Sequence, residues 1–236
     1  MSKTAICLSG QPRFIEDGFL TFSKNLVGFK DMDIFIHSWD NSLPGNNDKL
    51  TDVEDVNNVF NFYEPKDYIV EEQRIDIAPD GLSHKEFVHY SMFYSMYIAN
   101  KLKIDWEIKN NFKYDCVIKS RFDLALLEEL NVFDYNLNQI NSPDVCGNPK
   151  VISDWFNFSN SKNMDIYLDV YNNMQEYKKQ GIMMTSGEEL FTHHYKRNNL
   201  KIKKIKCNLN LIRSDKNQVK PGYWINISEL KKIYLH

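Results

Sequence analysis

Short apolar runs and helix-spaced apolar stripes take turns from the first residues onward. Thr4 to Leu8 has strand length and no turn formers, and Ser9-Gly10-Gln11-Pro12-Arg13 breaks it, because glycine and proline punctuate regular structure. Ile15, Phe19, Phe22 and Leu26 then recur at helical spacing. Met32 to His37 predicts a second buried strand and Ser38 to Asp48 a polar loop. Thr51-x-x-Glu54 has the form of a capping box ahead of Val53, Val56, Val59 and Phe60, a stripe that Pro65 stops. Tyr68 to Val70 predicts a short third strand. Ser83-x-x-Glu86 opens a long helix through Phe87, Tyr90, Tyr94, Tyr97 and Leu102, with a bend expected before Asn110. Tyr114 to Lys119 predicts a fourth strand.

The second half changes character. Asp144 to Phe158 is turn-rich with short strands, Ser161 to Lys179 predicts one helix stopped near Gly181, and Ser186-x-x-Glu189 caps a last helix. Ile205, Cys207, Leu209 and Leu211 alternate as a strand. Strands that alternate with helices require right-handed crossovers, which predicts an α/β, Rossmann-like chain with a mainly parallel central sheet flanked by helices and a mixed second half. No linker, repeat or low-complexity tract divides it, so one domain is expected over residues 1–236.

The 236 residues are 42% hydrophobic and 26% charged, the balance of a chain that folds. A net charge of −3 argues against a broadly basic nucleic-acid binder, and no nucleic-acid partner is expected. No apolar run approaches the ~20 residues that span a bilayer, so no transmembrane segment is expected. The apolar part of MSKTAICLSG is too short for a secretory leader and reads as a strand. Cys7, Cys116, Cys146 and Cys207 are scattered without a C-x-x-C pair, which suggests no zinc site and fits a reducing, cytoplasmic setting. The lysine run from Lys196 to Lys206 reads as one solvated strand face, with peripheral contact to anionic lipid headgroups as its alternative. Arginine is scarce, so Arg13, Arg74, Arg121, Arg197 and Arg213 stand out.

In open parallel sheets ligands bind beyond the C-terminal strand ends. Three polar clusters are predicted there: Ser9 to Arg13, His37-Ser38-Trp39-Asp40, and Lys119-Ser120-Arg121-Phe122-Asp123. Gly10 lets backbone approach a phosphate, and Arg13 grips a diphosphate through its planar fork. The cluster lacks both G-x-x-x-x-G-K and G-x-G-x-x-G, so it is neither a Walker loop nor a dinucleotide fingerprint. Arg121-x-Asp123 is a short acidic motif of the kind that holds a divalent cation on a diphosphate, with an Arg–Asp pair closing a turn as the bland alternative. His37 and Trp39 are placed to line the pocket, or are packed at a strand end. His193 and His194 are helix neighbours that diverge by about 100° and make a poor metal site. Asp154-Trp155-Phe156 has the make-up of a sugar-binding edge, or of an aromatic core strand. Glu189 is explained as the partner of Ser186, which leaves Glu188 as the freer candidate general base.

The order TAICLSGQPR, DIFIHSW, a long helix, YDCVIKSRFDL, ISDWFNFSNSKNMDIYLDVY and GEELFTHHY resembles small GT-A-type nucleotide-sugar glycosyltransferases. The likeness, over about Thr4 to Tyr195, is to those of bacterial surface-polysaccharide clusters and large DNA viruses. It implies a GT-A fold with a nucleotide-binding half at 1–125 and an acceptor-side half at 126–236. Ser9, Gly10 and Arg13 then lie in the nucleotide loop. Arg121 and Asp123 stand where the family carries Asp-x-Asp, with Asp123 the ligand of Mn2+ or Mg2+. The first acid is an arginine here, which takes over part of the metal's charge and loosens strict metal dependence. Asp154 and Glu188 fall where the family binds acceptor and places its base. The implied reaction moves a sugar from a nucleoside-diphosphate donor to the hydroxyl of a glycan or glycolipid acceptor. Two rivals are a non-catalytic carbohydrate-binding or assembly subunit of the same fold, and a sulfotransferase-like enzyme with Gly10 to Arg13 as its phosphate loop.

Overall fold

The computed structural model describes residues 2–40, 53–144, 152–182, 184–214 and 224–234. In chain order the first half runs β1 (Thr4–Gly10), α1 (Ile15–Asn25), β2 (Asp33–Asp40), α2 (Val59–Phe62), β3 (Asp67–Glu72), α3 (His84–Asn110), β4 (Cys116–Ser120) and β5 (Leu124–Leu126). The second half runs β6 (Ile140–Pro143), β7 (Asn157–Ser159), α4 (Ser161–Tyr167), α5 (Val170–Lys179), α6 (Gly187–Arg197), β8 (Ile202–Ile205), β9 (Leu209–Arg213), β10 (Trp224–Asn226) and α7 (Ile227–Tyr234).

Seven strands form one sheet in the order β3-β2-β1-β4-β7-β6-β8, and β10-β9-β5 form a smaller one. The β3-β2-β1-β4 block is wholly parallel, while β7 runs antiparallel to both β4 and β6. The protein is therefore α/β with a mostly parallel mixed sheet flanked by helices.

Strand alternation sorts the core into two layers, because successive side chains point to opposite faces. Ala5, Cys7, Phe35 and Val117 join a cluster with Tyr90, Phe93, Met96 and Ala99 of α3. Ile6, Leu8, Ile34, Ile36 and Ile118 join the opposite cluster with Ile15 and Phe22 of α1. A strand buried on both faces reads as a continuous apolar run, which is why β1, β2 and β4 were visible in the sequence. The α3 helix starts on the expected capping box: the Ser83 hydroxyl accepts from Glu86 N–H, and the Glu86 carboxylate accepts from Ser83 N–H at 2.9 Å.

Several expected elements are redrawn. The helix expected over Ser161 to Lys179 divides at Leu168 and Asp169 into α4 and α5. The alternating run from Ile205 to Leu211 is two strands in different sheets, with β8 on β6 and β9 on β5. Leu127 N–H donates to Asn208 O at 2.9 Å, which draws the chain away from the large sheet between them. His37 to Asp40 belongs to β2 itself and does not follow it. Thr51, Cys146 and positions 41–48 of the expected polar loop lie outside the described residues. Glu54, assigned to a capping box with Thr51, instead accepts from Ile15 N–H at 3.2 Å and caps α1. Along β8 the lysine run has Lys201, Lys203 and Lys206 exposed and Ile205 buried. Such lysines also discourage pairing of an edge strand with another chain. No helix among the described residues is long and apolar enough to cross a membrane.

Candidate functional site

The neighbours of β1 are β2 on one side and β4 on the other, all parallel. The chain goes from β1 to β2 on one side and from β4 on to β6 and β7 on the other, and such a change of direction in strand order is the position favoured for ligands in open α/β sheets. Ser9 and Gly10 end β1, Ser120 ends β4, and Leu8 pairs with Ser120 across the strands.

The loop leaving β1 is built under local strain. Gly10 has φ +115, which L side chains rarely adopt, and Ser38 Oγ donates to its carbonyl at 3.2 Å. Phe14 has φ +49, a costly conformation for an aromatic residue, and starts α1 from there. Its side chain is buried with Ala125, Ile212, Ile225 and Leu230 of the small-sheet core, which holds the backbone in place. Glu54 N–H donates to Pro12 O at 2.8 Å, and Arg13 bridges to Val53. The Arg13 guanidinium donates to the Gln11 side chain. The loop is thus tied on both sides.

Asp123 lies on the connection from β4 to β5. Arg121 Nε and Nη2 donate to its two oxygens at 2.7 and 2.8 Å, a bidentate fork. Arg213, from the end of β9, donates through Nη1 to Asp123 Oδ2 at 2.9 Å and to Ile212 O at 2.7 Å. Its guanidinium also lies 5.7 Å from the Trp224 ring centre. The carboxylate is buried while the arginine side chains are partly exposed: side-chain exposure is 4% for Asp123, 26% for Arg121 and 19% for Arg213. Burial works to raise the Asp123 pKa, Arg121 and then Arg213 outweigh it, and the carboxyl is held at about 2.

Asp154 approaches from the second half of the chain. Its Oδ2 is 3.4 Å from where a Cβ on Gly187 would stand, so it adjoins the first turn of α6 and hence Glu188. Its charge also acts on Arg121 and Lys119. The two candidate bases and Arg121 are therefore brought to one edge. Glu188 Oε2 accepts from the Ser186 hydroxyl at 3.3 Å, and Ser186 also caps Glu189 N–H at 3.2 Å. Trp155 and Phe156 beside Asp154 are buried in the α1-side core and offer no stacking face for a sugar.

His37 and Trp39 do not line an open pocket. As alternate residues of β2 they share the face covered by α3, and both are buried. His37 Nδ1 bonds the Ser95 hydroxyl at 2.7 Å and Nε2 bonds Glu71 at 3.1 Å, while Trp39 stacks on Tyr94. Burial lowers the His37 pKa against the pull of Glu71. His194 is buried between the Tyr177 hydroxyl and Ile166 O, and His193 packs on the Tyr177 ring.

Lys119 sits beneath this site. It is fully buried on β4 and donates to the carbonyl oxygens of Asp154 and Trp155, pinning the segment that carries Asp154. Burial pulls its ammonium down to about 7, with Asp154 opposing and Arg121 assisting. Below about pH 7 both folded and unfolded chains hold this proton, and the burial cost is felt in full. Between there and the ordinary value of 10.5 the unfolded chain binds the proton that the folded chain has released, so stability rises with pH. The gain of wild type over Lys119→Met from pH 7 to 9 is expected at about 2–3 kcal/mol, by urea unfolding at each pH. Buried Cys7 and Tyr63 titrate with the opposite sign but cancel in the difference. Parallel stability curves would exclude this role for Lys119.

Mn2+ or Mg2+ does not fit the donor set at Asp123. Both carboxylate oxygens already accept guanidinium N–H groups, and two positive charges lie against the carboxylate. Among the described residues no group of three His, Cys, Asp or Glu is placed to hold a metal ion. No protein-family model matches the chain, and no curated protein matches its sequence.

Arg213 and Lys119 are the site residues that sequence reasoning did not single out for a role. Lys119 was legible only as part of a polar strand end. Arg213 was legible only as one of five arginines, closing an alternating run.

Proposed function

We propose that the chain transfers a sugar from a nucleoside-diphosphate sugar to an acceptor hydroxyl in the synthesis of a glycan or surface polysaccharide, on a GT-A-like fold. One observation carries this reading: Arg121 and Asp123 pair just beyond β4, and Asp154, whose charge acts on Arg121, adjoins the first turn of α6. Ser9 and Gly10 end β1, the strand beside β4, Arg13 follows them, and together they suit a nucleotide diphosphate. Guanidinium groups at the β4 side stabilise the diphosphate as it departs. Asp154 or Glu188 takes the acceptor proton as the hydroxyl attacks the anomeric carbon.

The test is donor hydrolysis, which needs no acceptor. UDP-, GDP-, CMP- and dTDP-sugars are incubated with the protein, and release of free nucleotide is followed. Release from one donor class, lowered at least 100-fold in Arg121→Ala, is expected. One observation favours the non-catalytic alternative: Asp123 has both oxygens committed to arginines. Tight binding of a nucleotide sugar with no release, whichever acceptor is supplied, would decide for that alternative. Binding of 3′-phosphoadenosine-5′-phosphate alone would decide for the sulfotransferase-like one.

A further inference from the structure

We propose that Arg121 and Arg213, held together by Asp123, form a cation-free diphosphate clamp in which Arg213 is a direct phosphate ligand. This deepens the nucleotide-sugar reading above and rests on it.

Charge comes first. Two carboxylates and a divalent cation sum to zero, whereas one carboxylate and two guanidiniums leave a net positive charge with no metal present. Asp123 is ionised through the physiological range, so this balance is permanent. The clamp itself therefore carries one net positive charge without a cation, offset in part by the nearby Asp154 carboxylate.

Donor geometry points the same way. A guanidinium carries five N–H donors in a rigid fork. Arg121 spends two on Asp123, and Arg213 spends two on Asp123 and Ile212 O. Among the described residues the remaining three of each have no protein acceptor. The two arginine side chains are partly exposed, whereas the carboxylate between them is buried. Unpartnered N–H groups suit an anion, and two like charges oppose a cation. Planar forks match paired phosphate oxygens, which an ammonium does not.

The clamp is also pre-set. Arg121 leaves the large sheet and Arg213 ends a strand of the small one, and Ile212 N–H donates to Asp123 O at 2.9 Å to join the two. The Trp224 ring lies beside the Arg213 guanidinium. Little side-chain freedom is left to lose on binding, which favours affinity. Asp123 acts here as a positioning residue, not as a metal ligand.

The experiment measures binding of UDP, GDP and dTDP by calorimetry, in EDTA and in Mn2+, for wild type, Arg213→Gln and Arg213→Lys. Each nucleoside diphosphate is compared with its free nucleoside. One diphosphate is expected to bind in EDTA with an affinity that Mn2+ changes less than twofold. Arg213→Gln is expected to weaken that diphosphate about 10–100-fold while leaving the nucleoside unchanged, a split that general misfolding would not give. Arg213→Lys keeps the charge but loses the fork, and is expected to fall between the two. Binding that requires Mn2+ and vanishes in EDTA would overturn the clamp and leave the transferase reading standing. Equal losses for diphosphate and nucleoside, or no loss, in a folded Arg213→Gln would also overturn it. If no nucleoside diphosphate binds under either condition, both readings fall.

Discussion

Asp123→Ala is expected to lower the stability of the folded chain by about 3 kcal/mol, the low end of the range for breaking a buried ion pair. The carboxylate is only 3% exposed and accepts three guanidinium N–H bonds. Its removal leaves Arg121 and Arg213 side by side with like charge and no counter-ion. Their partial exposure lets water recover some of that loss, which sets the value at the low end. The effect also has a pH signature. The Asp123 carboxyl titrates at about 2 in the folded chain against an ordinary 3.8. Its stabilising contribution is present in full above about pH 4 and is lost as pH falls toward 2, because the unfolded chain then takes up the proton first. The gap between wild type and Asp123→Ala is therefore expected to narrow by about 2 kcal/mol over that interval. Urea unfolding at pH 7, 4 and 2.5 measures it. A variant within 1 kcal/mol of wild type at pH 7 would mean that the arginines do not depend on the carboxylate.

Gly18→Ala is expected to cost about 2–3 kcal/mol, although alanine normally favours a helix over glycine by about 1 kcal/mol. A Cβ at Gly18 would stand 2.0 Å from Phe122 O and 3.2 Å from Phe122 C. Both are backbone atoms, so no side chain can rotate away. Either α1 lifts from the sheet or the 122–124 segment moves, and that segment carries Asp123. The substitution is thus expected to lower the urea midpoint and to weaken nucleoside-diphosphate binding together. An unchanged midpoint would show that α1 yields without strain, and unchanged binding in a destabilised variant would show that the helix moves and the Asp123 segment does not.

The two effects share an origin that a linear reading does not reach. Gly18 was one helix residue among several, and nothing in its neighbours marked the backbone that passes over it. The contact exists because α1 and the β4–β5 connection are packed face to face.

Much of the framework was legible. The runs at Thr4 to Leu8, Met32 to His37 and Tyr114 to Lys119 are strands, since a doubly covered strand must be apolar throughout. The Ser83 and Glu86 pair opens α3 as expected, because a capping box is satisfied within one turn of chain. Those signals are local. Arg121-x-Asp123 was legible as a motif for the same reason, its two residues being close enough to pair on their own.

Other features needed the folded chain. His37 and Trp39 looked placed to line a pocket because the end of β2 was drawn three residues early, and strand alternation then turned both under α3. Trp155 and Phe156 looked like a sugar platform until packing put them in the core. By itself the sequence determined β1, β2, β4 and the start of α3, and that polar clusters would follow the ends of β1 and β4. Periodicity and capping are properties of neighbouring residues. Only the tertiary structure decided that Asp123 faces a second arginine ninety positions away. It alone placed Lys119 beneath Asp154 and gave Gly18 a backbone neighbour, because register between sheets and the approach of helix to strand are set by packing across the whole chain.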